Sequence, residues 1–273
     1  MRTPIASRTK PSTVAPDPFA SLVARALGVA VDSVEAERLD RDEEVAGAET
    51  QRVRWRGPDA SGTVLYRRYP VKAAVEPALL PLLARRHAPV PQVHASGVPP
   101  RHAPEARPWL LLSDPGDTPA GRDDTVAALA ATRAAVARDT NTLRSLGVPS
   151  LPPSRVSDEA RWAEELLDAA DFARVERLAA SLDLPRLDAI ETTLVHGGLE
   201  TGCALRGAGS TTLVGWSRAH LGCALIDDPG TDPDGARLAA LFAIRWHAWE
   251  ARESLRARRP AAELILRTLR GYN

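Results

Sequence analysis

The pattern of hydrophobic and polar residues separates a strand-rich part of the chain from a helix-rich part. Over 50–56 apolar residues alternate with arginines, and 63–69 has a second strand pattern after a Gly-Pro-Asp turn. These two segments predict a β-hairpin. Helical spacing predicts helices over 18–27 and 74–86, and Pro81 is expected to disturb the second of them.

The apolar runs at 90–93 and 109–112 predict further extended segments of the first part. Beyond residue 123 the spacing becomes mainly helical, with short strand-like runs at 193–195 and 211–214. The predicted helices cover 125–146, 155–182, 187–192, 236–256 and 261–269. The sequence thus predicts an α+β protein in which a small strand-rich part precedes a larger helical part.

Composition and charge exclude several classes of partner. The 273 residues contain 35 Lys+Arg and 35 Asp+Glu, so the chain has no overall attraction for nucleic acid or anionic lipid. No apolar run approaches the ~18 residues that a membrane span needs. The Pro-rich segment 1–17 is predicted to be a disordered tail and lacks the apolar core of a secretory signal. We therefore expect a cytoplasmic location, no nucleic-acid or membrane partner, and an unknown small molecule or protein as ligand.

Residues 194–205 form the most informative segment. They read L-V-H-G-G-L-E-T-G-C-A-L, and 212–222 read T-L-V-G-W-S-R-A-H-L-G. Both segments resemble the aminoglycoside phosphotransferase family, in which a catalytic loop reads roughly L-V-H-G-D-L-H-P-G-N-V-L. The family's metal-binding segment reads roughly V-I-D-W-x-x-A-x-x-G-D-P-x-x-D.

The resemblance implies a two-lobed protein-kinase-like fold. It places a β-rich N-lobe over 18–112, a hinge over 113–118 and a helical C-lobe over 119–273. The family's phosphate-binding lysine corresponds to Tyr66 or Arg67, and the chain's two lysines, Lys10 and Lys72, do not stand there. The implied nucleotide cleft lies near Arg67, Glu76, Leu112 and Asp114.

Several positions depart from the family pattern, and each departure removes a group that phosphoryl transfer needs. Transfer requires a carboxylate that positions the acceptor hydroxyl and an Asn and an Asp that hold Mg²⁺. Gly198 replaces the catalytic aspartate, Cys203 the metal-binding asparagine and Gly215 the metal-binding aspartate, while Glu200 replaces the loop's second histidine. In addition, five acidic side chains lie over 40–49, where a phosphate-binding loop is expected. No catalytic residue, no metal site and no cofactor is therefore expected.

Four positions keep the family's residue, and the resemblance implies an architectural role for each. His196 and Asp227 are expected to brace the backbone of the loop beside Gly197, and Trp216 is expected to pack beneath it. A general-base role for His196 is the less favoured interpretation.

These observations favour a pseudokinase that acts as a binding or regulatory module, and they leave open whether the chain is an enzyme at all. The alternative is an active ATP- and Mg²⁺-dependent small-molecule phosphotransferase whose ligands are rearranged. It needs substitute carboxylates such as Asp114, Asp117, Glu200 or Asp227. A third interpretation is other chemistry in the same cleft, for which the sequence offers no nucleophile–base pair.

Two further features can be interpreted either as functional or as purely structural. Cys203 and Cys223 suit either a redox or soft-metal pair or, more simply, two small buried residues. Trp246 and Trp249 suit either a ligand platform or packing on a helix, and packing is favoured.

Overall fold

The computed structural model describes residues 18–39, 48–70, 75–97, 107–199, 203–207, 209–253 and 257–272. The predicted disordered tail over 1–17, Lys10, Lys72, Glu200 and most of the acidic stretch at 40–49 lie outside these ranges. The described part has mixed α+β structure, with a sheet in the N-terminal part and mainly helices after it.

Five strands form one antiparallel sheet in the order β1-β2-β3-β5-β4. Their bounds are β1 Ser33–Leu39, β2 Glu49–Arg56, β3 Ser61–Arg68, β4 Val93–Gly97 and β5 Trp109–Ser113. The predicted hairpin is confirmed, because β2 and β3 pair directly with Val53 opposite Val64. The extended segment predicted at 90–93 begins later, at Val93.

Successive side chains of a strand point to opposite faces of the sheet. Both faces of this sheet are buried, each against a different helix. The first face packs against helix α1 (Pro18–Leu27), whose Val23 joins Val53, Val64 and Leu111 in a small core. This part of the core explains why apolar residues alternate with arginines along β2.

Helix α2 (Val75–Arg85) covers the other face, which carries Leu65 and Leu112. The helix runs through Pro81, so the expectation that this proline disturbs it is wrong. A proline inside a helix costs ~3 kcal/mol or more. Burial of the leucines on both sides of it offsets this cost, since fully burying one such side chain contributes ~1.5–3 kcal/mol. The buried leucines of α2 are Leu79, Leu80, Leu82 and Leu83.

Seven α-helices follow the sheet in the described ranges. They are α3 Arg122–Val136, α4 Thr140–Ser145, α5 Pro153–Ala160, α6 Ala169–Ala180, α7 Leu184–Asp188, α8 Pro233–Glu253 and α9 Arg258–Arg270. The last two confirm the predicted C-terminal helices. None of the described helices is long and apolar enough to cross a membrane.

Three predicted helices are shorter or interrupted in the structure. The segment 125–146 is broken before Asp139, whose carboxylate accepts two hydrogen bonds from Arg86 at 2.7 and 2.8 Å. The segment 155–182 is interrupted before α6, because Asp168 caps that helix by accepting from the backbone N–H of Asp171. The helix predicted over 187–192 ends at Asp188 in the structure, and strand β7 begins at Thr192, so the second half of that prediction is wrong.

Two small sheets lie among the helices, and the described residues 196–199 directly follow a strand of one of them. One has the order β6-β10-β7 and the other pairs β8 with β9. Their strands are β6 Ser150–Leu151, β7 Thr192–Val195, β8 Ala204–Arg206, β9 Thr211–Leu213 and β10 His220–Cys223. Strand β10 was not predicted because all four of its residues are buried, so no alternation marks it.

The main core connects these small sheets to the N-terminal sheet. Leu83 of α2, Leu129 of α3, Leu194 of β7 and Trp216 belong to the same buried cluster. A second core lies among α5, α6, α8 and α9. The loop after β7 is therefore supported from both cores.

Candidate functional site

The backbone of the loop that follows β7 is held by Asp227. Its Oδ2 accepts from the N–H of His196 and its Oδ1 from the N–H of Gly197, each at 2.8 Å. The Asp227 side chain is only 1% exposed, and Arg133 of α3 donates to its Oδ2 at 2.9 Å. The buried carboxylate is thus compensated by charge and by hydrogen bonds, which is the condition for keeping an ion in a core.

His196 is buried beneath this loop. Its Nε2 lies 2.8 Å from the carbonyl oxygen of Val214, which can only accept, so Nε2 carries the proton. The imidazole makes an edge contact with Trp216, with 4.6 Å between ring centroids. Burial lowers the pKa of His196, so the ring is neutral at pH 7. These contacts place the buried His196 ring against the residues that support the loop.

Gly197 is required by the geometry of the loop. Its φ is +76°, a left-handed conformation that side chains disfavour. A Cβ there would lie 2.7 Å from the carbonyl oxygen of Arg218 and 2.9 Å from Phe242. The close approach places the segment around Arg218 directly against the loop.

Gly198, at the position of the family's catalytic aspartate, faces a cation. An ideal Cβ on Gly198 would lie 3.1 Å from Cδ of Arg218 and 3.6 Å from its Nη1. The guanidinium of Arg218 also stacks over the ring of Trp246, 5.0 Å from the centroid. A permanently charged guanidinium cannot accept a proton, so neither Gly198 nor Arg218 offers a general base. The sequence did not single out Arg218, and only its distance from Gly198 shows its relevance.

Cys203 and Gly215, at the two metal-binding positions of the family, lie next to each other. A Cβ on Gly215 would lie 3.7 Å from Sγ of Cys203, and the N–H of Val214 donates to the Cys203 carbonyl at 2.8 Å. In the described ranges no group of three or more His, Cys, Asp or Glu side chains could hold a metal. Both Cys203 and Cys223 are buried free cysteines. Cys223 lies on β10, where burial raises the pKa of its thiol.

Of Tyr66 and Arg67, the two residues expected at the family's lysine position, Arg67 has a side chain that reaches α2. Arg67 Nη1 lies 3.4 Å from Glu76 Oε1, and Glu76 is almost fully buried. Tyr66 points to the other face of the sheet, where its ring contacts Phe19 and Trp109. Of the two positions that the sequence allowed, Arg67 is the one on the Glu76 side.

An ion-pair cluster, which we call the Arg52 clasp, is formed by Arg52, Asp114 and Asp117. Arg52 Nε donates to Asp114 Oδ2 at 2.7 Å, and its Nη atoms donate to both carboxylate oxygens of Asp117 at 2.7 and 2.9 Å. The two carboxylates raise the pKa of Arg52. Arg52 lies opposite Leu65 in the strand register, and Leu65 lies opposite Leu112, so Arg52 shares the sheet face of Leu112.

The clasp therefore joins β2 to the segment after β5, at the predicted nucleotide cleft. Sequence reasoning placed Asp114 in this cleft but missed Arg52, since 62 residues separate them. The sequence marks Arg52 only as one of the arginines that alternate with apolar residues along β2, and this pattern does not indicate its partners.

Comparison with solved structures supports the fold. No protein-family model matches the chain, and no curated protein matches its sequence. Solved structures match over nearly the whole chain. Choline kinase LicA from Streptococcus pneumoniae has a TM-score of 0.58 at 12% identity, covering 93% of this chain and 98% of that one.

A candidate fructosamine-3-kinase from Thermobifida fusca has a TM-score of 0.58 at 16% identity, with 93% and 99% of the two chains covered. A thermostable mutant of aminoglycoside phosphotransferase APH(4)-Ia, in a ternary complex with AMP-PNP and hygromycin B, has a TM-score of 0.56 at 12% identity and covers 93% and 98%. The chain thus has the protein-kinase-like fold of small-molecule phosphotransferases.

Proposed function

We propose that the chain is a pseudokinase of the aminoglycoside phosphotransferase type, which binds a small molecule or a protein and does not transfer phosphate. The observation that carries the proposal is the contact of Arg218 with Gly198, where a phosphotransferase needs a carboxylate. The proposal includes the division into an N-lobe at 18–112, a hinge at 113–118 and a C-lobe at 119–273.

The lack of a carboxylate at Gly198 is by itself an argument against phosphoryl transfer. Phosphoryl transfer depends on positioning the acceptor hydroxyl and on stabilising the charge that develops. Neither Gly198 nor the guanidinium of Arg218 can accept the hydroxyl proton. Removing a single preorganised catalytic group commonly costs a factor of about 10²–10³ in kcat.

The metal positions support the same conclusion. Mg²⁺ prefers carboxylate and other oxygen ligands in near-octahedral geometry. Cys203 offers a buried thiol and Gly215 offers no side chain, although the two positions lie together. ATP and Mg²⁺ are therefore not expected as cofactors.

The alternative, an active phosphotransferase with substitute ligands, is less well supported. Asp114 and Asp117 are paired with Arg52, and Asp227 holds two loop N–H groups. Recruiting any of them for Mg²⁺ would break these interactions. Glu200 lies outside the described residues.

A thermal-shift titration of the full chain with ATP, ADP, GTP and AMP-PNP, each with and without Mg²⁺, tests the proposal. APH(4)-Ia, which binds AMP-PNP in its solved complex, is the positive control. Ligand that binds only the folded state raises the melting temperature. We expect no Mg²⁺-dependent shift. A Mg²⁺-dependent rise of several degrees, together with turnover of ATP, would overturn the proposal.

A further inference from the structure

A cavity of about 590 Å³ lies between helices α6, α8 and α9, and shares no residue with the cleft described above. Its size is within the ~300–1,000 Å³ that is usual for small-molecule sites. The lining residues are Arg174, Arg177, Leu178, Ser181, Arg237, Leu269 and Tyr272. We call this cavity the basic pocket, because three of its seven lining residues are arginines and none is acidic.

Hydrogen bonds hold two of the arginines in place. Arg174 donates to Asp171 at 3.0 Å and to the carbonyl oxygen of Leu269 at 3.0 Å. Arg237 donates to Asp234 at 3.0 Å. Such contacts fix the direction of a long side chain and reduce the entropy lost when it binds a ligand.

Arg177 offers the most available positive charge of the pocket. It lies in the last turn of α6, its side chain is exposed, and it forms no ion pair with another described residue. Arg237 is compensated by Asp234, to which Arg186 also donates at 3.0 Å, while Arg186 is itself paired with Asp232. A negatively charged ligand is therefore attracted mainly by Arg177.

The rest of the lining is suited to the apolar body of an organic molecule. Leu178 and Leu269 are buried at its wall. Tyr272 is 42% exposed, and its hydroxyl donates to the carbonyl oxygen of Ala236 at 2.7 Å, which fixes the ring. A charged end and an apolar wall together are typical of a site for a small organic anion.

We propose that the basic pocket binds a small phosphomonoester, with its phosphate held by Arg177 and Arg237 and oriented by Arg174. Guanidinium groups match the geometry of phosphate oxygens and bind them in pairs. A phosphate dianion has enough oxygens to meet more than one of these guanidinium groups at once, whereas a single carboxylate has only two. The proposal concerns a site separate from the kinase-like cleft and does not depend on the proposed loss of phosphotransfer.

Isothermal titration of the full chain with glycerol 3-phosphate tests this, at constant ionic strength and with glycerol as the neutral control. We expect saturable binding of the phosphomonoester and none of glycerol. Arg177→Gln is the main variant, because its side chain is exposed and glutamine suits a helix. Loss of one charge-assisted contact is expected to weaken binding at least about tenfold.

Arg237→Gln is the second variant, with the same expected loss. Arg259→Gln is the matched control, since it removes the same charge from α9 at a side chain that is 92% exposed and outside the pocket. Its affinity should equal that of the wild type. The proposal is overturned if the wild type shows no saturable binding, or if Arg177→Gln and Arg237→Gln each bind within about threefold of it. Loss of binding in Arg218→Gln alone would place the anion in the cleft and would also overturn it.

Discussion

Arg218 lies against Gly198, with its Cδ 3.1 Å from the position that a Cβ on Gly198 would occupy. Gly198 follows β7 and Arg218 ends a short 3-10 helix, and their contact places a cation where the family resemblance expects a proton acceptor. A single substitution at Gly198 can restore the carboxylate but not its surroundings.

We expect Gly198→Asp to leave ATP turnover at the background of the wild type. The new carboxylate would pair with Arg218, and both metal positions would still lack a carboxylate or amide side chain. Gly198→Asn is the matched control for size without charge. The measurement is ADP release with and without Mg²⁺. A clear gain in the aspartate variant alone would mean that the base is the only missing group.

Asp227→Asn is expected to destabilise the fold by about 3–5 kcal/mol, because it leaves Arg133 without its buried anion and replaces an acceptor with an amide donor. The measurement is urea unfolding. Asp228→Asn is the control, since Asp228 is 31% exposed and lies 3.8 Å from an exposed arginine. It should change the free energy of unfolding by less than about 1 kcal/mol. Similar effects of the two variants would show that Asp227 does not hold the loop.

Of the two ion pairs in the Arg52 clasp, we expect the pair with Asp114 to stabilise the fold more than the pair with Asp117. Asp114 is shielded, whereas the side chain of Asp117 is 67% exposed. Double-mutant cycles with Arg52→Gln should give a coupling energy of about 1–2 kcal/mol for Asp114→Asn and below about 1 kcal/mol for Asp117→Asn. Unfolding in urea at low and high salt checks both values. A larger coupling to Asp117 would contradict the geometry.

Acid is expected to destabilise the protein through His220. Burial lowers the pKa of His220 to about 4, below the ~6.5 of an exposed histidine. The folded state therefore binds fewer protons than the unfolded state between these values. Stability is fully present above pH 6.5 and is lost as the pH falls toward 4. The shift corresponds to about 3 kcal/mol from this residue.

Urea unfolding between pH 7 and pH 4.5 measures this loss. His220→Leu removes the titrating group beside Phe242 and should flatten the profile, although it also changes the stability at pH 7. The control is His87→Asn, because His87 is exposed and asparagine tolerates its φ of +57°. That variant should keep the slope of the wild type. An unchanged slope in His220→Leu would assign the acid sensitivity to another group.

Parts of the site were predictable from the chain because the family's loop keeps its spacing. His196, Asp227 and Trp216 could be placed by position, and the structure places all three around one loop. The hairpin over 50–69 could also be predicted, because a strand with one apolar face shows alternating apolar and polar residues in the sequence.

Arg218 and Arg52 could not be found in this way. Each acts through a contact with a residue distant in sequence, and an arginine at such a position has no local pattern. The helix through Pro81 was misjudged for a related reason, since burial of Leu80 and Leu82 outweighs the local preference.

The Arg52 clasp has a consequence for the segment that follows β5. A single guanidinium joins this segment to β2 through two carboxylates that lie three residues apart. Loss of Arg52 alone would therefore release both attachments at once and leave two neighbouring negative charges facing each other.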